Sequence, residues 1–514
     1  MTDILPGTVA GPDLAEQDQH VGGETFDSLS PRTGDVVGTY PVHTAEQVRA
    51  TVARAHEAAA WWSSLSYDER AERLDAWKGV ITRRIAQLAD VVHRETGKPH
   101  SDATLEAGLA LDHIAWAAKN AEKTLKRRKR SAGLIMANTA ATVEYNPLGV
   151  IGVIGPWNYP VYTPMGSITY ALAAGNAVVF KPSELTPGVG VWLANAFAEV
   201  VPEHPVLQVV TGLGETGAAL CRAGVNKLAF TGSTATGKKV MAACAETLTP
   251  VLIEAGGKDA FLVDQDADID AAADAALWGA ASNAGQTCIG VERIYVHERV
   301  YDEFVSSLLD KARELHADDS ADAKIGPITM PAQLGVIKSH IDDALARGGR
   351  ALLGGSDAVG ERYVQPTILV DVPEDSAAVQ EETFGPTVTV AKVRDMDEAV
   401  RLANATRYGL GSTVFAKERA MELASRIRSG MTAVNAVISF AAIPTLPFGG
   451  VGDSGFGRIH GPDGLKEFTY AKAIARQRFK PALALTTFRR TDKADKQLAQ
   501  MLTLMHGRGK PLQR

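Results

Sequence analysis

The chain has 514 residues, enough for two or three domains, and its 45% hydrophobic and 22% charged residues are ordinary for a globular protein. A net charge of −7 gives no reason to expect a nucleic-acid partner. Three cysteines cannot build a disulfide framework, and neither a signal-peptide pattern nor an apolar run of about 18 residues is visible. We therefore expect a cytoplasmic protein that is not inserted in a membrane.

The first part of the chain predicts two short strands followed by helices. Residues 26–42 contain a turn between short strands, and Thr44 and Ser66 each open a capping box. The second box predicts one long helix that ends near Gly97, and a third helix is expected over residues 101–119.

A basic run over residues 119–130 leads into a strand-like stretch at 139–145. The run is similar to a phosphate-binding or membrane-surface patch, but it has no interleaved aromatic residues and the whole chain is acidic. A solvated connector is therefore the favoured interpretation.

From residue 149 onward, short apolar runs alternate with helical or turn-rich segments. Such alternation predicts right-handed βαβ units and parallel sheets. The strands expected in a first sheet are residues 149–154, 177–180, 207–210, 227–230 and 250–253, and those of a second sheet are 260–263, 293–296, 367–370, 388–390, 413–415 and 432–434. The predicted fold class is α/β with two doubly wound Rossmann-like domains, which bind nucleotides at the carboxyl ends of their strands.

Cys288 stands in the segment Asn-Ala-Gly-Gln-Thr-Cys-Ile-Gly of residues 283–290, after a helical pattern at 268–281. Gly285 and Gly290 allow a turn that a ligand can approach closely. A reactive thiol needs access and a lowered pKa, whereas many free cysteines are buried structural residues. Position alone leaves both interpretations open.

The loop after the strand at 227–230 reads Gly-Ser-Thr-Ala-Thr-Gly-Lys-Lys over residues 232–239. It matches a phosphate-binding P-loop except at Lys239, where Ser or Thr is needed for magnesium, so a P-loop-like nucleotide-binding enzyme is an alternative. A glycine loop at a helix N-terminus also suits a dinucleotide pyrophosphate. Lys181 and Glu184, just after the strand at 177–180, are placed to hold a ribose.

Glu254 is a carboxylate at the end of the strand at 250–253. Partial burial there would raise its pKa toward that of a general base. The alternative is a helix-capping acid.

Seven motifs of the chain, in order over residues 25–480, resemble those of the aldehyde dehydrogenase superfamily. They are Pro-Trp-Asn-Tyr-Pro at 156–160, Lys-Pro-Ser-Glu at 181–184, Phe-Thr-Gly-Ser-Thr-Ala-Thr-Gly at 230–237, Glu-Ala-Gly-Gly-Lys at 254–258, Gly-Gln-Thr-Cys at 285–288, Glu-Thr-Phe-Gly-Pro at 382–386, and Pro-Phe-Gly-Gly at 447–450 with Ser-Gly-Phe-Gly-Arg at 454–458. The resemblance implies an oxidoreductase that converts an aldehyde to the carboxylic acid with NAD(P)+.

The resemblance also implies three parts and a homodimer or homotetramer. We expect residues 1–130 and 148–256 to bind NAD(P), residues 257–452 to form the catalytic domain, and strands at 131–147 and 468–480 to form a small β oligomerisation element. The tail at 481–514 extends past the resemblance, and its residues 493–505 are compatible with an amphipathic helix. Packing of this helix against its own subunit or its partner is favoured over a membrane anchor.

By resemblance, Cys288 is the nucleophile, the Asn158 amide and the Cys288 N–H hold the oxyanion, and Glu254 activates the water that hydrolyses a thioester. Because members of the superfamily that transfer the acyl group to coenzyme A lack this carboxylate, hydrolysis is expected. The residues implied in cofactor binding are Trp157, Lys181, Ser183, Glu184, Gly214, Gly217, Phe230, Gly232, Ser233, Gly237, Glu382 and Phe384. Glu184 would accept hydrogen bonds from the ribose hydroxyls and repel a 2′-phosphate, so NAD is preferred and NADP is possible.

The substrate pocket implied by the resemblance consists of Tyr159, Tyr162, Gly166, Ser282, Thr287, Ile289 and Phe440. Family members specific for succinic semialdehyde often carry arginines at the positions of Gly166 and Ser282. The small residues here predict a widened apolar funnel for aromatic or medium-chain aliphatic aldehydes. A succinic semialdehyde dehydrogenase remains the alternative if a distant arginine such as Arg458 reaches the pocket.

Two further classes of function have weaker support. A Cys–His hydrolase would need a histidine near Cys288, but the nearest in sequence, His297, lies beyond a predicted strand. A protein with a purely structural role would have no need for Asn158, Glu254 and Cys288 to occur together. The twelve histidines show no paired ligand spacing, so no metal is expected.

Overall fold

The computed structural model describes residues 23–320, 323–481, 483 and 485–507. Their contacts form two compact units: the described residues up to Thr124 with Pro147–Tyr470, and Leu125–Asn146 with the described residues from Ala471 onward. The elements in chain order are β1 (Thr25–Leu29), β2 (Val36–Pro41), α1 (Ala45–Ser64), α2 (Tyr67–Arg83), α3 (Ile85–Thr96), α4 (His100–Leu125), β3 (Arg128–Arg130), β4 (Thr139–Pro147), β5 (Val150–Ile154), α5 (Tyr162–Ala173), β6 (Ala177–Lys181), α6 (Pro187–Ala198), β7 (Leu207–Val209), α7 (Gly214–Arg222), β8 (Lys227–Gly232), α8 (Thr234–Ala245), β9 (Val251–Ala255), β10 (Asp259–Val263), α9 (Ile269–Ala281), β11 (Val291–His297), α10 (Tyr301–Ala312), α11 (Ala332–Ala346), β12 (Arg350–Leu353), β13 (Thr367–Val370), α12 (Ala377–Gln380), β14 (Thr387–Val393), α13 (Met396–Ala403), β15 (Ser412–Phe415), α14 (Ala420–Arg426), β16 (Ala433–Val434), β17 (Gly455–Phe456), α15 (Gly461–Glu467), β18 (Thr469–Gln477) and α16 (Asp492–His506).

The predicted hairpin and both capping boxes are confirmed. Strands β1 and β2 pair antiparallel, and Thr44 and Ser66 each accept a hydrogen bond from the backbone three residues later. The single long helix predicted after Ser66 is wrong, because non-helical backbone dihedral angles at Arg84 (φ −114, ψ 23) separate α2 from α3. The guanidinium of Arg84 lies 2.6 Å from the Glu199 carboxylate, a long-range contact that no local pattern reveals.

The first large sheet has the strand order β17-β9-β8-β5-β6-β7. All neighbours from β9 to β7 are parallel, and only the short β17 runs antiparallel. The chain winds outward from β5 to β6 and β7, then returns to β8 and β9 on the other side. The strand order therefore reverses between β5 and β8, the point where open α/β sheets bind ligands at their carboxyl ends.

The second large sheet has the order β12-β13-β14-β11-β10-β15-β16 and is parallel except at β12. Its buried strands carry a core in which the rings of Phe261 and Phe415 stack with centroids 5.1 Å apart. All six predicted strands are present. The edge strand β12 was missed because it has four residues and an exposed outer half.

The second compact unit contains a three-stranded sheet in the order β18-β4-β3. The stretch predicted at 119–130 to be a solvated connector is exposed over residues 126–130, but it is not a simple connector. Helix α4 continues to Leu125, and β3 pairs antiparallel with β4 through Arg128 and Val143. The side chains of β3 are all exposed, so its basic composition gives no sign of the pairing. The domain boundaries and the oligomerisation role of these strands stay predictions.

The tail forms α16, as the helical pattern at 493–505 predicts, and none of its residues is fully buried. Thr491 caps the helix by accepting a hydrogen bond from the Ala494 N–H. What covers its apolar face stays a prediction. Among the helices of the described ranges, none combines the length and apolar character needed to cross a membrane.

Candidate active site

A cavity of about 750 Å³ opens at the carboxyl ends of the first sheet. That volume is typical of a site for a small molecule or cofactor. The predicted residues that line it are Trp157, Asn158, Lys181, Ser183, Glu184, Gly214, Gly217, Phe230, Gly232, Ser233, Glu254, Cys288, Glu382 and Phe384. Gly237 is not among the described residues that line it, because it faces Ile253 and Phe230 inside the protein.

Cys288 reaches the cavity through a tight turn after α9. Asn283, Ala284 and Gly285 are consecutive residues with φ of 51°, 56° and 71°, a left-handed conformation that is unfavourable for side chains with a Cβ. A Cβ at Gly285 would lie 2.1 Å from the backbone of Gly385, so only glycine fits there. Cys288 is partly exposed as a residue, in contrast to the buried residues Cys221 and Cys244.

Glu254 lies at the end of β9 beside Cys288 and is 2% exposed. Neither carboxylate oxygen has a hydrogen-bond partner among the described residues. Burial raises the pKa of Glu254 to about 7, although the neighbouring Cys288 thiol and Thr231 hydroxyl oppose part of this rise. Burial, followed by the charge of Glu254, holds the pKa of Cys288 well above its ordinary value. A carboxyl that caps no helix and titrates near neutral pH can accept a proton.

The amide of Asn158 lies on the turn between β5 and α5 and is 5% exposed. Its Nδ2 donates one hydrogen bond to the Gln286 carbonyl over 2.9 Å, and an amide nitrogen has a second hydrogen to donate. Its backbone carbonyl accepts hydrogen bonds from Lys98 Nζ at 2.8 Å and Asn283 Nδ2 at 3.0 Å.

One end of the cavity carries a cation and a carboxylate from the loop after β6. Lys181 is 3% exposed, and burial lowers its pKa. Its Nζ lies 3.8 Å from Oε2 of Glu184, whose side chain is 49% exposed. Ser183 accepts a hydrogen bond from the Leu185 N–H at 3.2 Å, which shapes the loop.

Gly232 and Ser233 line the cavity at the N-terminus of α8. The Ser233 hydroxyl caps the helix by accepting a hydrogen bond from the Thr236 N–H at 3.3 Å. The remaining N–H groups and the dipole of α8 favour an anion at this position. Across the cavity, Gly214 leaves open space, since a Cβ there would meet nothing within 4 Å.

Glu382 and Phe384 form the wall near Cys288. Oε1 of Glu382 accepts a hydrogen bond from the Gly257 N–H at 3.0 Å, and burial followed by the charge of Glu292 holds its pKa well above the ordinary value. Phe384 has a left-handed backbone (φ 54°), and its ring meets Trp157 edge-on, with centroids 5.5 Å apart.

The residues predicted to form a substrate pocket lie near Asn158 and Cys288 but are not among the described residues that line the cavity. Tyr159 Oη lies 3.0 Å from Thr287 Oγ1, and Tyr162 Oη donates to the Ala441 carbonyl over 2.7 Å. Ile289 and Phe440 are buried, and Ser282 buries a hydroxyl that has no partner among the described residues.

The predicted widening of this pocket at Gly166 is wrong. A Cβ at Gly166 would lie 2.7 Å from Nε2 of His460 and 2.8 Å from Ile459, so other side chains fill the space. His460 is fully buried, and burial followed by its neighbour His113 holds its pKa well below the ordinary value. Glycine is needed at 166 to admit this neutral imidazole.

Two alternatives from the sequence find no support in the geometry. Arg458 donates to the carbonyls of Gly450 and Gly457 over 2.9 and 2.6 Å, so its guanidinium is already engaged. His297 lies at the far end of β11 from Cys288, where its Nδ1 accepts a hydrogen bond from the Arg299 N–H. No set of three or more His, Cys, Asp or Glu residues in the described ranges is arranged to hold a metal ion.

Several residues around the cavity were not predicted from the sequence. Met330, Gln333 and Val336 also line it, as does Lys239 of the predicted loop 232–239. Two buried ion pairs, Lys98 with Glu106 and Lys258 with Glu292, hold the surrounding loops. The only local signal for Lys98 was its position between Gly97 and Pro99, which indicates a helix end and nothing about a site.

Comparisons with known proteins identify the class. The profile of the aldehyde dehydrogenase family matches residues 18–474. A 4,4'-diapolycopene aldehyde oxidase of Methylomonas sp is 36% identical over 450 residues, which cover 87% of this chain and 84% of that protein. A Mycobacterium ulcerans protein, provisionally named an NADP(+)-type succinate-semialdehyde dehydrogenase, is 36% identical over 453 residues, with 87% of each chain covered. The crystal structure of an NAD-dependent aldehyde dehydrogenase from Sinorhizobium meliloti superposes with a TM-score of 0.86 at 35% identity, covering 91% of this chain and 94% of that one.

The chain therefore belongs to the aldehyde dehydrogenase family. The predicted fold class and the NAD(P)-dependent oxidoreductase class are confirmed.

The coupling of Cys288 and Glu254 predicts how the thiol reacts with iodoacetamide. Above pH 7 the Glu254 carboxylate is charged and raises the pKa of Cys288. Glu254→Gln removes that charge, so alkylation of Cys288 at pH 8 should be roughly three- to tenfold faster, and the gain should shrink toward pH 6. Glu382→Gln is the matched control with a smaller effect, because Glu382 contributes less to the same shift. An unchanged or slower reaction in Glu254→Gln would contradict the coupling.

Proposed function

We propose that this enzyme oxidises an aldehyde to its carboxylic acid through Cys288, Glu254 and Asn158. The observation that carries the proposal is that Cys288, Glu254 and Asn158 line one cavity. They supply a partly exposed cysteine, a buried carboxylate with no hydrogen-bond partner among the described residues, and an amide nitrogen that donates one hydrogen bond and has a second hydrogen to donate. These are the nucleophile, the base and the oxyanion donor that acyl chemistry requires.

In the first step, Cys288 reacts as the thiolate and its proton passes to solvent, so that the Glu254 carboxylate stays available as the base for the later step. The thiolate attacks the carbonyl carbon and forms a thiohemiacetal. The Asn158 Nδ2–H and the Cys288 backbone N–H stabilise the oxyanion. NAD(P)+ held beside Trp157 and Phe384 would supply the hydride acceptor, and loss of the hydride from this carbon leaves a thioester on Cys288.

Glu254 then activates water. The carboxylate removes a proton as the oxygen attacks the thioester, and the acid leaves with regeneration of the thiol. Because this base is present, the acyl group passes to water and not to coenzyme A.

The lining of the cavity supports the binding of a dinucleotide. We infer that Lys181 and Glu184 bind the adenosine ribose, Gly232 and Ser233 the pyrophosphate, and Glu382 the second ribose, since all five residues line the cavity. Phe384 and Trp157 supply apolar surface beside the nicotinamide.

The first test is aldehyde-dependent reduction of NAD, followed at 340 nm, which is the absorbance of the reduced nicotinamide. We expect activity with an aldehyde panel and a loss of at least about 10³-fold in Cys288→Ala. Cys244→Ala is the matched control, because Cys244 is buried and is not among the described residues that line the cavity. No reduction with NAD or NADP for any aldehyde would refute the proposal, and turnover dependent on coenzyme A would refute hydrolysis.

Cofactor choice should depend on Glu184. Its carboxylate repels a 2′-phosphate, but the side chain is 49% exposed, so solvent screening limits the repulsion to about 1 kcal/mol. We expect kcat/KM to be about fivefold higher with NAD than with NADP, and Glu184→Gln to remove the difference. A higher kcat/KM for NADP in the unmodified enzyme would contradict the preference, which the name of the M. ulcerans relative makes a real possibility.

The substrate class is inferred from the groups around Cys288. The side chains of Tyr159, Tyr162, Ile289 and Phe440 are mainly apolar, and Nη1 of Arg458 donates to backbone carbonyls. We therefore infer a preference for aromatic or medium-chain aliphatic aldehydes. The relatives' names point to different aldehydes, so succinic semialdehyde is the second candidate.

A panel of benzaldehyde, octanal and succinic semialdehyde decides between these classes. We expect kcat/KM for one of the two apolar aldehydes to exceed that for the semialdehyde by at least about tenfold, since the predicted pocket residues, Tyr159, Tyr162, Gly166, Ser282, Thr287, Ile289 and Phe440, include no cation that could pair with its carboxylate. Butanal serves as a control for chain length. A clear preference for the semialdehyde would refute the apolar assignment.

A further inference from the structure

Two buried lysine–glutamate pairs adjoin the proposed active site without touching the reacting groups. Lys98 and Glu106 are both 2% exposed, and Nζ lies 2.7 Å from Oε2. Lys258 and Glu292 are 2% and 5% exposed. Removing an ion pair from water is costly, so a buried pair is poor evidence for a gain in stability. The other hydrogen bonds of each pair indicate what it does.

Glu106 holds the start of α5. Its second oxygen, Oε1, accepts hydrogen bonds from the backbone N–H groups of Val161 and Tyr162 over 2.7 and 3.1 Å. These N–H groups have no partner within the helix, because they precede its first hydrogen-bonded turn. One carboxylate from α4 therefore fixes the end of the segment 158–162.

Lys98 holds the beginning of the same segment. Its Nζ donates to the Asn158 carbonyl over 2.8 Å and lies 4.2 Å from the centre of the Tyr159 ring. The carbonyl and the side-chain amide of Asn158 share one Cα. A shift of this carbonyl therefore moves the N–H proposed to meet the oxyanion.

We propose that the Lys98–Glu106 pair is a positioning device for the Asn158 amide. Lys98 fixes the backbone of Asn158 and Glu106 fixes the following helix, so that Nδ2 points at the oxyanion when it forms. Because it acts through Asn158, the assignment rests on the function proposed above. Neither Lys98 nor Glu106 touches the aldehyde.

The second pair provides a matched control. Lys258 Nζ donates to Thr383 Oγ1 over 3.1 Å, and Glu292 accepts hydrogen bonds from the backbone N–H groups of Thr383 and Phe384. This equally buried pair holds the loop that carries Glu382 and Phe384. Lys258→Met should weaken NAD binding by about tenfold in calorimetric titrations. Lys98→Met should leave the Kd for NAD within about twofold.

The decisive experiment is a double-mutant cycle on the pre-steady-state burst of NADH, which reports formation of the thioester. Lys98→Met should slow the burst by about 10²-fold in the otherwise unmodified enzyme, as expected for a misplaced oxyanion donor. In an Asn158→Ala background the same change should cost less than about threefold, because the donor is already absent. A lysine with a purely structural role would slow the burst by the same factor in both backgrounds, and that result would overturn the proposal.

Lys98→Met leaves the Glu106 carboxylate buried and without its ion-pair partner, which could prevent folding. We therefore include a second variant in which Glu106 is also replaced. Lys98→Met/Glu106→Gln buries no net charge and keeps an oxygen for the Val161 and Tyr162 N–H groups. If the single variant does not fold, the double variant replaces it in the double-mutant cycle, and we expect the same decreases in the burst rate. A burst in the double variant within about threefold of the unmodified enzyme would also overturn the proposal. An unmodified enzyme that reduces no NAD with any aldehyde would instead contradict the function proposed above.

Discussion

The carboxylate of Glu254 lies buried beside a thiol, and none of the residues that the structure describes forms a hydrogen bond with its oxygens. Leaving a buried carboxylate unpaired costs about 1–3 kcal/mol or more, so the surrounding structure has to hold it there. The strand β9 supplies that restraint, because its backbone is paired with β8 up to Glu254 and Ala255. A base that titrates near neutral pH is the consequence, and the proposed chemistry depends on it.

The remaining groups reach the cavity from strand ends and tight turns. Parallel strands place their following loops at one edge, which brings Asn158, Lys181 and Ser233 to a common space. Cys288 comes from the second sheet through a left-handed turn that fits only because residue 285 is glycine. Buried ion pairs then fix the loops whose N–H groups have no partner in a helix or strand.

Much of the fold could be predicted because its signals are local. The capping boxes at Thr44 and Ser66 need only four neighbouring residues, and each buried parallel strand shows as a short apolar run. The candidate site residues follow from motifs at strand ends. The predictions failed where the sequence has no local signal. The helix ends at Arg84, whose guanidinium pairs with the distant Glu199, and the basic strand β3 pairs with β4.

The sequence by itself determined the alternation of strands and helices, the family resemblance and the residues of the proposed chemistry, because these depend on residue type and spacing along the chain. Only the tertiary structure decided which distant side chains pack around the residues of the proposed site. His460 occupies the volume beside Gly166, nearly 300 positions away in the chain, and Lys98 reaches the Asn158 carbonyl from another helix end. Packing and burial bring distant residues together, and no periodicity in the sequence reports the distance between them.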